Sequence, residues 1–234
     1  MNNNPLRKTL LLSFFILTSV FIQAQNVVIQ DVNIVDVKAG KILPHQTVII
    51  HKKRIQKIGA KLSIPKNSQI IKAQGKYLIP GLWDMHVHLA MMGETSFPLF
   101  IANGITGVRD MGGDYSKLKR WRAEEASGKR LMPVFKTPGA ILENAPWFNL
   151  VKNIFGRESL VKERIVVHNP EHAMEVVDSL KKTGVDFVKI RNVINKKTFL
   201  AIAAACQKQG LKLVGHLPER QISISEASKP GLLE

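Results

Sequence analysis

Two histidines, His86 and His88, stand two residues apart at the end of the run Pro80-Gly-Leu-Trp-Asp-Met-His-Val-His-Leu89. Side chains two apart share one face of an extended strand. This spacing therefore aims two imidazoles at one point, with Met85 and Val87 expected on the opposite face. Imidazole is the commonest side-chain ligand for zinc and similar divalent ions, so the pair could form one jaw of a metal clamp. A bare His-x-His also occurs on exposed edge strands. Pro-Gly at the entry, the apolar run, and Asp84 two residues before His86 favour a buried strand whose C-terminal end opens onto a site.

Two residues further along could complete such a clamp. Lys189 ends the apolar stretch Gly184-Val-Asp-Phe-Val-Lys-Ile190, where an apolar neighbourhood disfavours the charged ammonium. A neutral lysine amine can capture carbon dioxide, and the resulting carbamate can bridge two cations as an aspartate or glutamate would. Taken alone, the strand also fits a lysine that lays its stem along apolar surface and keeps its head in solvent; a histidine pair earlier in the chain favours the carbamate. His216 ends Leu211-Lys-Leu-Val-Gly-His-Leu-Pro218, with Gly215 permitting close backbone approach and Pro218 ending the strand. Arg109, followed by Asp110, could orient a substrate or form a structural salt bridge under the loops. His168 and His172 flank a helix start and are expected on the outside.

These residues need elements to carry them. From Gly81 onward strand and helix patterns alternate. Strands are expected at 82–88, 106–109, 132–137, 186–190 and 212–216, and helices at 97–103, 115–127, 170–182, 196–209 and 223–229. Alternating units of this length imply α/β architecture with a parallel sheet, open or closed into a barrel. Residues 139–167 lack clear strand character and are expected to form an extended loop with a helical turn or two over the mouth.

Before Gly81, residues 25–80 alternate apolar and polar positions in short bursts separated by glycines, which predicts a small β domain. His45 and His51 lie within it and are expected to be exposed. Residues 1–24 place Arg7 and Lys8 before an apolar run, Leu10 to Ile22, and end in Gln23-Ala24. That order is the layout of a secretory signal peptide, and the run is shorter than the about 20 residues of a membrane span. The expected mature chain is periplasmic or extracellular; an uncleaved anchor is the alternative.

The chain has 234 residues and a formal charge of +16, but its basic residues are scattered, with few aromatics among them to stack on bases. That pattern argues against a nucleic-acid partner. The single cysteine, Cys206, sits in an Ala-rich helical stretch and is expected in the core. One thiol cannot form an internal disulfide, so stability must come from burial or metal.

Read together, the 80–89 run, Asp186-Phe-Val-Lys189, Gly215-His-Leu-Pro218 and Thr106-Gly-Val-Arg-Asp-Met-Gly-Gly113 resemble the amidohydrolase superfamily, in its imidazolonepropionase-related and Xaa-Pro-dipeptidase-like branch. The resemblance implies a (β/α)8 TIM barrel preceded by a small β-sandwich-like domain. It also implies two divalent metal ions, zinc by preference, bridged by a carboxylated lysine. Matched by position, the ligands are His86, His88, Lys189 and His216. The strand-6 histidine and strand-8 catalytic aspartate of the family would lie beyond Glu234. Residues 81–234 supply about five of eight βα units, so the chain is expected to be an N-terminal fragment, inactive by itself. The implied activity is hydrolysis of carbon-nitrogen bonds in a small-molecule or dipeptide-like substrate. A mononuclear deaminase of the same fold and a non-catalytic metal-binding remnant are the alternatives.

Overall fold

A computed structural model describes residues 26–155, 162–191, 195–218 and 221–232; the signal layout at 1–24 lies outside them. The chain divides into two compact units at Pro80/Gly81.

In the first unit β1 (Val27–Asp36) is central. It pairs antiparallel with β2 (Lys41–His51), which pairs with β3 (Arg54–Gly59), and parallel with both β4 (Gln69–Lys72) and β5 (Tyr77–Leu78). The result is one mixed five-stranded sheet rather than two stacked layers. Its core centres on Val32, Val48 and Ala73, with Ile29, Ile34, Ile50 and Leu78 packed against them. His45 is exposed, as expected, with Nδ1 2.7 Å from an Asp31 carboxylate oxygen. His51 is half-buried instead, its Nδ1 2.9 Å from Asn26 Oδ1.

The second unit alternates strands and helices. Its strands are β6 (Leu82–Val87), β7 (Ile105–Asp110), β8 (Val134–Lys136), β9 (Ile141–Glu143), β10 (Arg164–Val166), β11 (Phe187–Ile190) and β12 (Lys212–Gly215). Its helices are α1 (Leu89–Met92), α2 (Ser96–Ala102), α3 (Tyr115–Ala126), α4 (Ala145–Phe155), α5 (Pro170–Thr183), α6 (Lys196–Gln209) and α7 (Ile224–Ser228). The helix starts follow from local chemistry. Asp114, Asn169, Asn195 and Ser223 each accept from backbone amides of the first turn, satisfying donors a helix leaves open. Gly184 and Gly210 close α5 and α6 in the left-handed conformation.

All strand pairs here are parallel, in the orders β6-β7-β8 and β10-β9-β11-β12. Between the two groups the Asp186 amide donates to the Thr137 carbonyl, and the Thr137 amide donates to the Asp186 carboxylate, both at 2.9 Å. Helix-facing side chains such as Val188, Ile190, Val177 and Phe199 form the main core. Cys206 lies in it, 2% exposed, with burial pushing its thiol up to about 12. The expected loop at 139–167 is replaced among its described residues by β9, α4 and β10. Three-residue strands are too short to print an alternation, and the fully buried Glu143 disguises β9 as polar.

Candidate metal centre

Alternation along the strands builds the site. On β11, Phe187 and Lys189 share the face turned away from the helical core, as do Val214 and His216 along and just beyond β12. Phe187, Val214 and Met111 form a small apolar cluster. One step further toward the C-terminal ends, Lys189 and His216 line a cavity of about 260 Å³ together with His86 and His88. The four residues matched in the sequence therefore converge on one cavity, whose other walls include Gly112, Gly113 and Ile141. Lys189 is 5% exposed.

The histidine pair departs from the simple strand picture. β6 ends at Val87, and His88 is the N-cap of α1, with φ −123° and ψ 81°. The rings lie 5.7 Å apart, edge to face. The β6–β7 register shifts between Asp84 and Val87, and the His86 amide donates to the Asp84 carboxylate at 3.0 Å. Val87 is buried as expected, whereas Met85 is half exposed, because β6 is the outer strand of its sheet and has a neighbour on one side only among the described strands.

His88 is held by the backbone. Its Nδ1 lies 2.8 Å from the Gly112 carbonyl, which fixes Nδ1 as the protonated nitrogen and leaves Nε2 as the one with a lone pair to offer. A metal-binding histidine is ordinarily oriented in this way by an acceptor on its other nitrogen. Gly112 is in turn held by Asp110. This fully buried carboxylate accepts from the amides of Leu89 (2.8 Å) and Gly112 (3.2 Å) and from the Thr137 hydroxyl (2.7 Å). Asp110 thus ties together the starts of α1 and of the Gly112 turn and the end of β8, through hydrogen bonds instead of the expected salt bridge. Burial pushes its carboxyl above the ordinary range, against the downward pull of those bonds and of His88. Asp110→Asn is expected to lower stability by about 2–3 kcal/mol, because an amide donor would face at least one of these buried donors. The urea midpoint checks this, and an unchanged midpoint would mean that the network is not what holds the turn.

Arg109 is not among the residues lining the cavity; its Nε donates to the Met85 carbonyl at 2.7 Å, on the exposed side. The rings of His168 and His172 stack with centroids 5.2 Å apart, also outside the cavity. The sequence reading missed Glu143, Glu163, Arg164 and Arg191. Glu163, Arg164 and Arg191 line the cavity, and Glu143 is buried behind the two arginines, with Oε1 paired to Arg164 and 3.7 Å from Arg191 Nε. A carboxylate directly after the apolar pair Ile141-Leu142 was the available signal.

Among the described residues no group of three or more His, Cys, Asp or Glu side chains is placed to hold a metal ion. The cavity instead combines three imidazoles with a lysine amine. That donor set fits divalent ions if Lys189 contributes oxygen, which carboxylation would give it.

Two curated relatives match about a third of the chain. Adenine deaminase from Thermosipho africanus is 40% identical over 78 residues, 32% of this chain and 13% of the relative. Imidazolonepropionase from Vibrio cholerae serotype O1 is 36% identical over 73 residues, 30% of this chain and 18% of the relative. No family model matches the chain. Among solved structures, a Xaa-Pro dipeptidase with bound methionine in the active site superposes with a TM-score of 0.71 at 18% identity, over 89% of this chain and 60% of that one. Through these partial matches the chain is similar to members of the amidohydrolase superfamily. A molinate hydrolase superposes as well, with a TM-score of 0.66 at 19% identity, over 84% of this chain and 54% of its own. The chain spans under a fifth of those curated relatives and 54–60% of these structures.

Proposed function

We propose that the cavity is part of the active site of a metal-dependent hydrolase of carbon-nitrogen bonds. The single observation that carries this reading is the convergence of His86, His88, Lys189 and His216 on one cavity at the C-terminal ends of parallel strands, where barrels of this class keep their chemistry. On this reading the parallel units belong to an eight-unit barrel. His86, His88, His216 and a carboxylated Lys189 would hold the divalent ions. Bound there, such ions, zinc by preference, supply the Lewis acidity that activates water at neutral pH and polarises a carbonyl.

The chain's own residues do the rest. Asp110 and Gly112 keep the His88 ring oriented with Nε2 as the acceptor nitrogen. Met111, Phe187 and Val214 pack as an apolar cluster, with Phe187 and Val214 two residues before Lys189 and His216 on the same strand faces. Lys189, 5% exposed, is held at the cavity wall, out of bulk solvent. At about 260 Å³ the cavity suits a small molecule.

A mononuclear deaminase is the second reading, favoured by the 40% identity to an adenine deaminase over 78 residues. Zinc titration by calorimetry, in bicarbonate and in carbon-dioxide-free buffer, separates the two. A bridged pair of ions binds with two equivalents and more tightly in bicarbonate, whereas a mononuclear site takes one equivalent regardless. Failure to bind zinc in either buffer would remove both readings and leave the non-catalytic remnant.

A further inference from the structure

We infer that Arg164 and Arg191 form a recognition site for a carboxylate on the substrate, at the wall of the same cavity; this rests on the reading of that cavity as an active site. Both guanidinium groups line it, and both are anchored on one oxygen, Oε1 of Glu143. Glu143 is fully buried and the Arg164 side chain is only 8% exposed. Sharing a single acceptor leaves most of the N–H donors of two guanidiniums for other partners. Arg164 Nε is buried without a hydrogen-bond partner among the described residues, as is the second oxygen of Glu143. That unpartnered Nε is a cost carried beside the cavity that Arg164 lines, and it shows the surroundings to be short of acceptors for the guanidinium.

Chemistry narrows what that is. Burial works against charge on both members of the pair, raising the Glu143 carboxyl and lowering the Arg164 guanidinium, yet arginine stays protonated throughout the working range. Two cations against one buried anion leave a local excess of positive charge. Glu163 lines the cavity too and attracts Arg164, with no ion pair between them within 4 Å among the described residues, so it offsets this excess without occupying the donors. A planar carboxylate, whose two oxygens match the guanidinium fork, is the group this arrangement accepts best. The substrate class is then a small acid whose scissile carbon-nitrogen bond reaches toward Lys189 and the histidines while its carboxylate rests on the arginines.

The test compares N-acetylglycine with its uncharged amide, N-acetylglycinamide, as calorimetric probes of the full chain, its R191Q and R191K variants, H88A at the histidine end of the cavity, and R120Q outside it. Arg191 is 34% exposed, so its replacement is tolerated by the fold, which circular dichroism verifies; R191K repeats the comparison with the charge kept and the fork removed. The acid is expected to bind at least tenfold more tightly than the amide. R191Q should lose about 10- to 100-fold for the acid only, R191K should lose less, and R120Q, at an exposed arginine outside the cavity, should bind as the parent does. Equal binding of acid and amide, or an unchanged affinity in R191Q, overturns the inference. Loss of acid binding in H88A with none in R191Q assigns the carboxylate to the histidine end of the cavity, which overturns this site and leaves the metal reading standing. Acid binding that survives while zinc does not bind keeps the arginine site and removes the metal.

Discussion

Substituting His88 with alanine is expected to lower zinc affinity by well over 100-fold. The removal of groups that merely orient a ligand typically costs only about 10–100-fold, so a larger loss identifies a residue that touches the ion. His86→Ala should behave in the same way, since its ring lines the same cavity 5.7 Å from that of His88. Lys189→Ala has a distinct signature. It removes the stem on which a carbamate would form while leaving a space at the 5%-exposed position, so short-chain carboxylic acids should restore part of the lost binding. Calorimetric titration of zinc into the three variants, with and without acetate or propionate, reads all of this. Normal zinc binding in all three would refute the ligand assignment, and acid-independent loss in Lys189→Ala would refute the bridge.

Gly215→Ala is expected to destabilise the second unit by on the order of 4 kcal/mol, combining backbone strain with overpacking. Gly215 has φ +139°, a conformation that side chains beyond glycine rarely adopt, and an added Cβ would lie 2.0 Å from the Ile190 carbonyl oxygen. Relief would require β12 to move away from β11, yet the His216 amide donates to that same oxygen at 3.1 Å. The substitution therefore threatens both the sheet and the position of His216. Urea unfolding followed by circular dichroism measures it. A midpoint matching the parent would show that the two strands do not approach as closely as described.

How legible the molecule was in its sequence varied with length and with company. The helices α3, α5 and α6 announce themselves through caps and long apolar periods, and each starts at the position the sequence indicates. His86, His88, Lys189 and His216 were legible because each ends a strand pattern, and strand ends of parallel α/β units gather at one face. Glu143 and Arg164 were not. They sit in strands of three residues, where periodicity has no room to show, and a buried ion pair looks like two surface residues until both partners are seen. His88 was misread in one respect: a register shift takes it out of the strand, a change of backbone path that residue types alone do not encode.

The grip on His88 has a consequence for how its importance would be found. The acceptor on its Nδ1 is a main-chain carbonyl, which every amino acid at position 112 would still carry, so no exchange of side chain there deletes the interaction chemically. Mutational scans find residues by what their side chains do, and to such a scan Gly112 would register only as a position intolerant of bulk, with φ +112° and Ile141 2.4 Å from any added Cβ. The information that aims the imidazole is stored in the course of the backbone, and its genetic trace is displaced to Asp110, whose carboxylate keeps that course.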